Sequence, residues 1–327
     1  MPERDFEIAA RIAKLRALTV PHGPFVAFQE AFAWLLERRR AELALGQAAE
    51  ARGIVVVGDS GSGKTTAAQR VVARIAAEGG IGPQDVTSLT VPSPASLKSV
   101  GVSALDALGY PLRANRTGAV IWQKVRDLLR ARRTLVLILD EAQDLMRDQS
   151  ARERQAVVNT LKSLMQNPAW PVSLVLAGIP RLRNGPGLLD LLDHDPQLAR
   201  RLYPIEFPAV GLQGPAGGIA ELVGLYAAQA EVALAPGLIA RDFADRLSQA
   251  GASQFGLVVE AIIDAIDLAL HEGAALARPH FAAAYRRKTS AIDGLNPFLC
   301  EDFRRVDPWR LLEQPGRKAL EPGKKTS

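Results

Sequence analysis

Ile54-Val55-Val56-Val57-Gly58-Asp59-Ser60-Gly61-Ser62-Gly63-Lys64-Thr65 reads as a strand that runs into a loop and then a helix. The first four residues are apolar, β-branched and bounded by Gly53 and Gly58, the pattern of a short parallel strand buried on both faces. The remainder fits G-x-x-x-x-G-K-[ST] at every fixed position. Glycines at 58, 61 and 63 let the backbone wrap so that its N–H groups converge on phosphate oxygens. The Ala-rich helix expected over 64–78 adds the favourable end of its dipole. Gly58, Asp59, Ser60, Gly61, Ser62, Gly63, Lys64, Thr65 and Thr66 are therefore the expected ATP-binding set. Lys64 would reach the β- and γ-phosphates, and the Thr65 hydroxyl would ligate Mg²⁺. The alternative, a glycine-rich loop with no ligand, does not need the strand before it or the helix after it.

Downstream, Leu135-Val136-Leu137-Ile138-Leu139 is a second buried strand, and it runs straight into Asp140-Glu141. Acids at the C-terminal end of a buried strand stand where parallel sheets bind ligands. Asp140 is expected to hold Mg²⁺ through water and Glu141 to polarise the attacking water, although the pair could instead cap the next helix. Further strands are expected at 86–91, 172–177 and 203–207, alternating with helices near 95–108, 118–132 and 151–166. That alternation implies an α/β fold, a parallel sheet with helices on both faces. The separation of loop and acids leaves room for an extra strand between them and predicts strand order 5-1-4-3-2.

The flanks are helical. Residues 5–17 and 24–45 form an expected N-terminal segment (1–50) ahead of a nucleotide-binding core (51–210). A Gly/Pro-rich linker over 211–218 leads to a helical lid (211–292) with helices at 217–231, 236–250, 255–272 and 278–289. A C-terminal extension (293–327) closes the chain, with its last dozen residues expected to be disordered. Of the 327 residues, 48% are hydrophobic and 23% charged, which excludes a mostly disordered chain. The one cysteine, Cys300, excludes an internal disulfide, and with four scattered histidines a structural zinc site is not expected. No apolar run approaches the ~18 residues of a membrane span. The N-terminal residues lack the apolar stretch of a signal peptide, so a reducing cytoplasm is the expected home.

The net charge is +5, but residues 98–133 alone carry +6: Lys98, Arg113, Arg116, Lys124, Arg126, Arg130, Arg132 and Arg133 against Asp106 and Asp127. This window reads either as a solvated helix face or as a surface that meets phosphate.

These residues resemble the AAA+ ATPases, and within them the TniB/TnsC family of DNA-transposition regulators. The likeness runs over about residues 5–300. It rests on the loop 55–65, on Leu137-Ile138-Leu139-Asp140-Glu141-Ala142-Gln143-Asp144-Leu145, on Leu174-Val175-Leu176-Ala177-Gly178, on Gln197-Leu198-Ala199-Arg200-Arg201-Leu202, and on the opening Arg11-Ile12-Ala13-Lys14-Leu15-Arg16. The resemblance implies an ATP-dependent, homo-oligomeric protein that forms rings or filaments on duplex DNA and recruits a transposase. It places an arginine finger at Arg200-Arg201, Arg201 first, reaching a neighbouring subunit's ATP. Plain surface charge is the other reading of that pair. It places DNA contacts at Lys98, Arg113, Arg116 and Thr117, which predicts sequence-independent, salt-sensitive binding. The base would pack near the turn at 20–25, with His22 or Phe25 contributing, or Phe25 serving as plain core.

Two departures bear on rate. Ile179 stands where such ATPases place a polar residue at a strand tip. In the lid, Gly251-Ala252-Ser253-Gln254-Phe255-Gly256 lacks an arginine, leaving Gln254 as the nearest polar group. Both predict slow hydrolysis, below roughly 10 s⁻¹, with bound ATP chiefly stabilising an assembly. The competing readings are an AAA+ ATPase for protein assembly or secretion without nucleic acid, and a clamp-loader-like ATPase. The first usually brings a membrane span or wall-binding domain, the second a lid arginine.

Overall fold

The computed structural model describes residues 2–46, 50–147, 150–181, 186–210 and 217–312. The chain divides into two compact units, Pro21–Pro208 and Met1–Val20 with Ala209–Ser327. Helix α1 (Pro2–Ala17) belongs to the second unit. The first unit runs α2 (Gly23–Ala44), β1 (Gly53–Gly58), α3 (Lys64–Ala77), β2 (Val86–Thr90), α4 (Leu97–Ala107), α5 (Gly118–Arg132), β3 (Val136–Asp140), α6 (Ala151–Met165), β4 (Ser173–Gly178), α7 (Leu188–His194), α8 (Pro196–Ala199) and β5 (Leu202–Phe207). The second unit continues with α9 (Gly217–Gln229), α10 (Arg241–Ala250), α11 (Phe255–Glu272), α12 (Arg278–Thr289) and α13 (Pro308–Leu312).

The five strands form one parallel sheet in the order β2-β3-β4-β1-β5, the order expected from the spacing of loop and acids. The central strands are apolar on both faces because both faces are covered. Val55, Val57, Leu137, Leu139, Leu174 and Leu176 enter one core with residues of α4, α5 and α6. Their chain neighbours Ile54, Val56, Val136, Ile138, Val175 and Ala177 enter the other with α2 and α3. On that second face Phe25, Phe28, Phe32, Leu35 and Leu36 form the buried stripe of α2.

The two N-terminal helices, expected as one segment, are divided between the units. The α1 stripe Ile8, Ile12 and Leu15 is buried in the helical unit with Ile262 and Ile266 of α11, whereas the aromatic stripe of α2 belongs to the sheet. Two further differences are local. Helix α10 starts at Arg241 rather than 236, because residues 237–240 close a turn through the Ala240 N–H and Gly237 carbonyl. Helices α7 and α8 were not anticipated; at 7 and 4 residues they are too short to show a period, yet Leu188, Leu191 and Leu198 fill the core. Most of the expected linker (residues 211–216) and the end of the C-terminal extension (313–327) lie outside the described residues. No described helix is long and apolar enough to cross a membrane.

Candidate nucleotide site

The loop between β1 and α3 is shaped by two left-handed residues, Gly61 (φ +76°) and Gly63 (φ +96°), a conformation that costs an L side chain roughly 1–2 kcal/mol. They turn the chain so that α3 starts at Lys64, leaving the first-turn N–H groups of Lys64, Thr65 and Thr66 at the loop. Lys64 is only 8% exposed. Its ammonium donates to the carbonyls of Gly58 (2.7 Å) and Asp59 (2.9 Å) and to Ser62 Oγ (3.2 Å). Burial pulls its pKa down, while the carboxylates of Glu141, Asp140 and Asp59 push it back up. A partly desolvated cation inside a ring of backbone dipoles suits a phosphate.

Strand β3 brings the acids to the same place. Thr65 Oγ1 donates to Asp140 Oδ2 at 2.6 Å, so the hydroxyl and carboxylate expected to hold Mg²⁺ converge on one point. Two hard oxygens from facing elements beside a phosphate cradle fit Mg²⁺, which binds through one or two protein oxygens plus substrate phosphates. The other Asp140 oxygen accepts from the Glu141 N–H (3.0 Å), which helps to fix Glu141 in a left-handed conformation (φ +56°). Glu141 Oε2 in turn accepts from the amide of Gln143 (2.5 Å), a buried residue to which the sequence reading assigned no role. Its signal was visible three residues after Asp140, but only a tertiary contact gives it meaning.

Arg200 and Arg201 differ sharply. Arg201 donates through Nε and Nη2 to Glu50 (both 3.0 Å) and also to the Gln197 carbonyl. Its fork and the Gln166 amide hold the Glu50 carboxyl below its usual range. The Arg200 carbonyl accepts from Arg52 (3.0 Å), while Arg200 itself is exposed at the end of α8.

The basic window is not uniform either. Trp122 Nε1 donates to the Leu97 carbonyl (2.7 Å) and Arg132 to the Leu108 carbonyl (2.7 Å), so α4 and α5 lie side by side with their starts together. Lys98, exposed at the start of α4, donates to Asn115 (2.5 Å), and Arg113, Arg116 and Thr117 are exposed in the loop entering α5. Thr117 also caps that helix, its hydroxyl accepting from the Val120 N–H. Arg132 is spent on capping α4, and Lys124 lies over the Tyr110 ring.

At the turn before α2, Phe25 is buried core, while half-buried His22 caps the helix by accepting the Phe25 N–H at Nδ1 and sets its ring edge-on to Phe207. Burial lowers the His22 pKa below 6.5, so the folded protein binds fewer protons there than the unfolded chain. Its contribution is whole above pH 6.5 and is lost as pH falls through the lower folded value. Denaturant midpoints at pH 7.5 and 5.0 should therefore drop less in His22→Asn, which keeps a capping side chain, than in the wild type. In the helical unit Gln254 is buried at the start of α11, donating to the Ala252 carbonyl, and its Oε1 has no partner among the described residues.

A family model described as the bacterial TniB protein matches residues 16–211. The chain belongs to the TniB family. The matched stretch covers the whole sheet-bearing unit and thus the loop, Asp140, Glu141, the Arg200–Arg201 pair and the basic surface. No curated protein matches. Among solved structures this TniB-family chain is similar to the Aeropyrum pernix ORC1 protein in complex with DNA (17% identity, TM-score 0.55, 83% of this chain and 66% of that one). It is also similar to the A. pernix ORC2 protein in ADPNP and ADP complexes (16%, TM-score 0.57, 81% and 68%). A third is Drosophila ORC bound to DNA (15%, TM-score 0.53, 88% and 67%). The chain thus spans about two thirds of the length of these relatives. The likeness is one of fold, and with the family it makes the chain an AAA+ ATPase by architecture.

Proposed function

We propose that this protein is an ATP-dependent regulator of DNA transposition that oligomerises on duplex DNA in the cytoplasm, recruits a transposase to target DNA and uses slow ATP hydrolysis to control the assembly. The observation that supports this reading is one TniB-family unit in which Lys64, Thr65, Asp140 and Glu141 converge at the β1–α3 loop and Lys98, Arg113, Arg116 and Thr117 form an exposed cluster. The loop N–H groups and Lys64 bind the β- and γ-phosphates, for which Lys64 exchanges its bonds to the loop carbonyls. Thr65 and Asp140 hold Mg²⁺, which when bound neutralises charge on the phosphate oxygens. Glu141 accepts a proton from the attacking water. An arginine from the next subunit completes the site; Arg200 is the better placed of the pair because Arg201 is already forked on Glu50.

Duplex-DNA binding followed by fluorescence anisotropy tests the proposal, with ATP, a slowly hydrolysed analogue, ADP or no nucleotide. Binding is expected only with a triphosphate and is lost in Lys64→Ala. It should weaken with salt, and removing any one of Lys98, Arg113 and Arg116 should flatten the log–log slope by about 0.9 per protomer. Absence of binding in every state at low salt would turn the basic cluster into a solvated face and favour protein assembly or secretion instead.

A further inference from the structure

We propose that Gln143 is the positioning residue for Glu141, its buried amide tying the carboxylate to the backbone at the tip of β4. The inference rests on the ATPase reading above and adds to it the group that aims the base.

Gln143 lies in the tight turn directly after β3 and is 4% exposed. Its Oε1 accepts the Ile179 N–H at 3.0 Å, and its Nε2 donates to Glu141 Oε2 at 2.5 Å. The orientation of the amide follows from its partners: a backbone N–H can only donate and a carboxylate only accept, so the oxygen must face β4 and the nitrogen must face Glu141. The tip of β4 is built to admit it. A Cβ on Gly178 would collide with Gln143 Oε1, so the amide crosses the strand at a residue with no side chain to displace it. The next residue, Ile179, offers no polar side chain but does offer its N–H.

The consequence is mechanical. Glu141 holds a left-handed backbone, a conformation costly for a residue with a Cβ and one that persists only when its surroundings fix it. Two bonds do so, from its own N–H to Asp140 and from the Gln143 amide to its carboxylate. With Oε2 accepting the Gln143 amide, the carboxylate's orientation is set and its remaining lone pairs are left to a water. A base misplaced by about 1 Å can cost a hundredfold in rate, so a single amide that references Glu141 to the β4 backbone is enough to matter.

Gln143→Glu tests this directly. It keeps the shape and an acceptor for Ile179, but replaces the donor to Glu141 with a second carboxylate. Expected is a fall in kcat of about thirty- to a hundredfold, with a Kd for a fluorescent ATP analogue within threefold of wild type. Gln143→Met, which removes both bonds without adding charge, should lower kcat similarly, again with analogue affinity within threefold of wild type. A kcat within threefold of wild type in both variants, while Glu141→Gln is inactive, overturns the positioning role and leaves the ATPase reading intact. Loss of analogue binding in both variants overturns it in favour of a purely structural role. A wild-type protein without turnover overturns the ATPase reading and this inference together.

Discussion

Replacing Glu141 with Gln is expected to lower ATP turnover at least about a hundredfold while nucleotide binding is retained or tightened. The loss follows from removing a base that general acid–base catalysis values at 10² to 10⁴. The retention follows from geometry. A Gln side chain has the same shape, its carbonyl can still accept from the Gln143 amide, and neither Lys64 nor the Thr65–Asp140 pair is touched. Charge acts in the same direction, because a carboxylate that repels triphosphate disappears from the site. One opposing effect is smaller: Glu141 is the first of three carboxylates that counter the burial of Lys64, and Asp140 and Asp59 remain to do so. On the proposed reading the variant accumulates as a stable DNA-bound assembly with ATP. Phosphate release at saturating ATP, beside analogue affinity, measures both halves. Turnover within threefold of wild type would remove Glu141 from the base position.

The reach of the sequence in this molecule follows the range of the interactions. The β1–α3 loop is legible because its geometry is local: the glycines, the lysine and the threonine lie in one turn of chain, and Gly61 and Gly63 do adopt the left-handed backbone that the pattern demands. The parallel sheet is legible because its strands, covered on both faces, stand out as apolar runs, and its order because the stretch between loop and acids has room for one extra strand. What the sequence concealed depends on partners far along the chain. Arg200 and Arg201 are indistinguishable as letters; only the contact of Arg201 with Glu50, 151 residues away, separates them. Ile179 read as a missing polar group, although the group near it arrives from Gln143, 36 residues earlier. The assignment of α1 to the helical unit and α2 to the sheet likewise turns on which core each stripe meets, information that helical periodicity does not contain.

Arg200→Ala should cost about a thousandfold in the turnover of the assembled protein, as removal of an arginine finger does, whereas Arg201→Ala should cost tenfold or less. The reasoning starts from what each side chain already does. Arg201 is 14% exposed and forked on Glu50, and with Glu50 51% exposed the pair is screened and worth about 1 kcal/mol or less. Its role is to secure the chain where Gly53 donates to the Arg201 carbonyl and Arg52 to that of Arg200, a brace at the start of β1. Arg200, carried on that brace and exposed, is free to meet a neighbour's triphosphate. A mixing experiment decides whether it acts in trans. Arg200→Ala retains its own phosphate loop, and Lys64→Ala retains its own Arg200. Each alone should be inactive, but in a mixed assembly the second lends its arginine to the first and turnover returns. Failure to complement would place the arginine in its own subunit's site or outside catalysis. Strong loss in Arg201→Ala with a silent Arg200→Ala would reverse the assignment, and Glu50→Ala would then be expected to raise turnover by releasing Arg201.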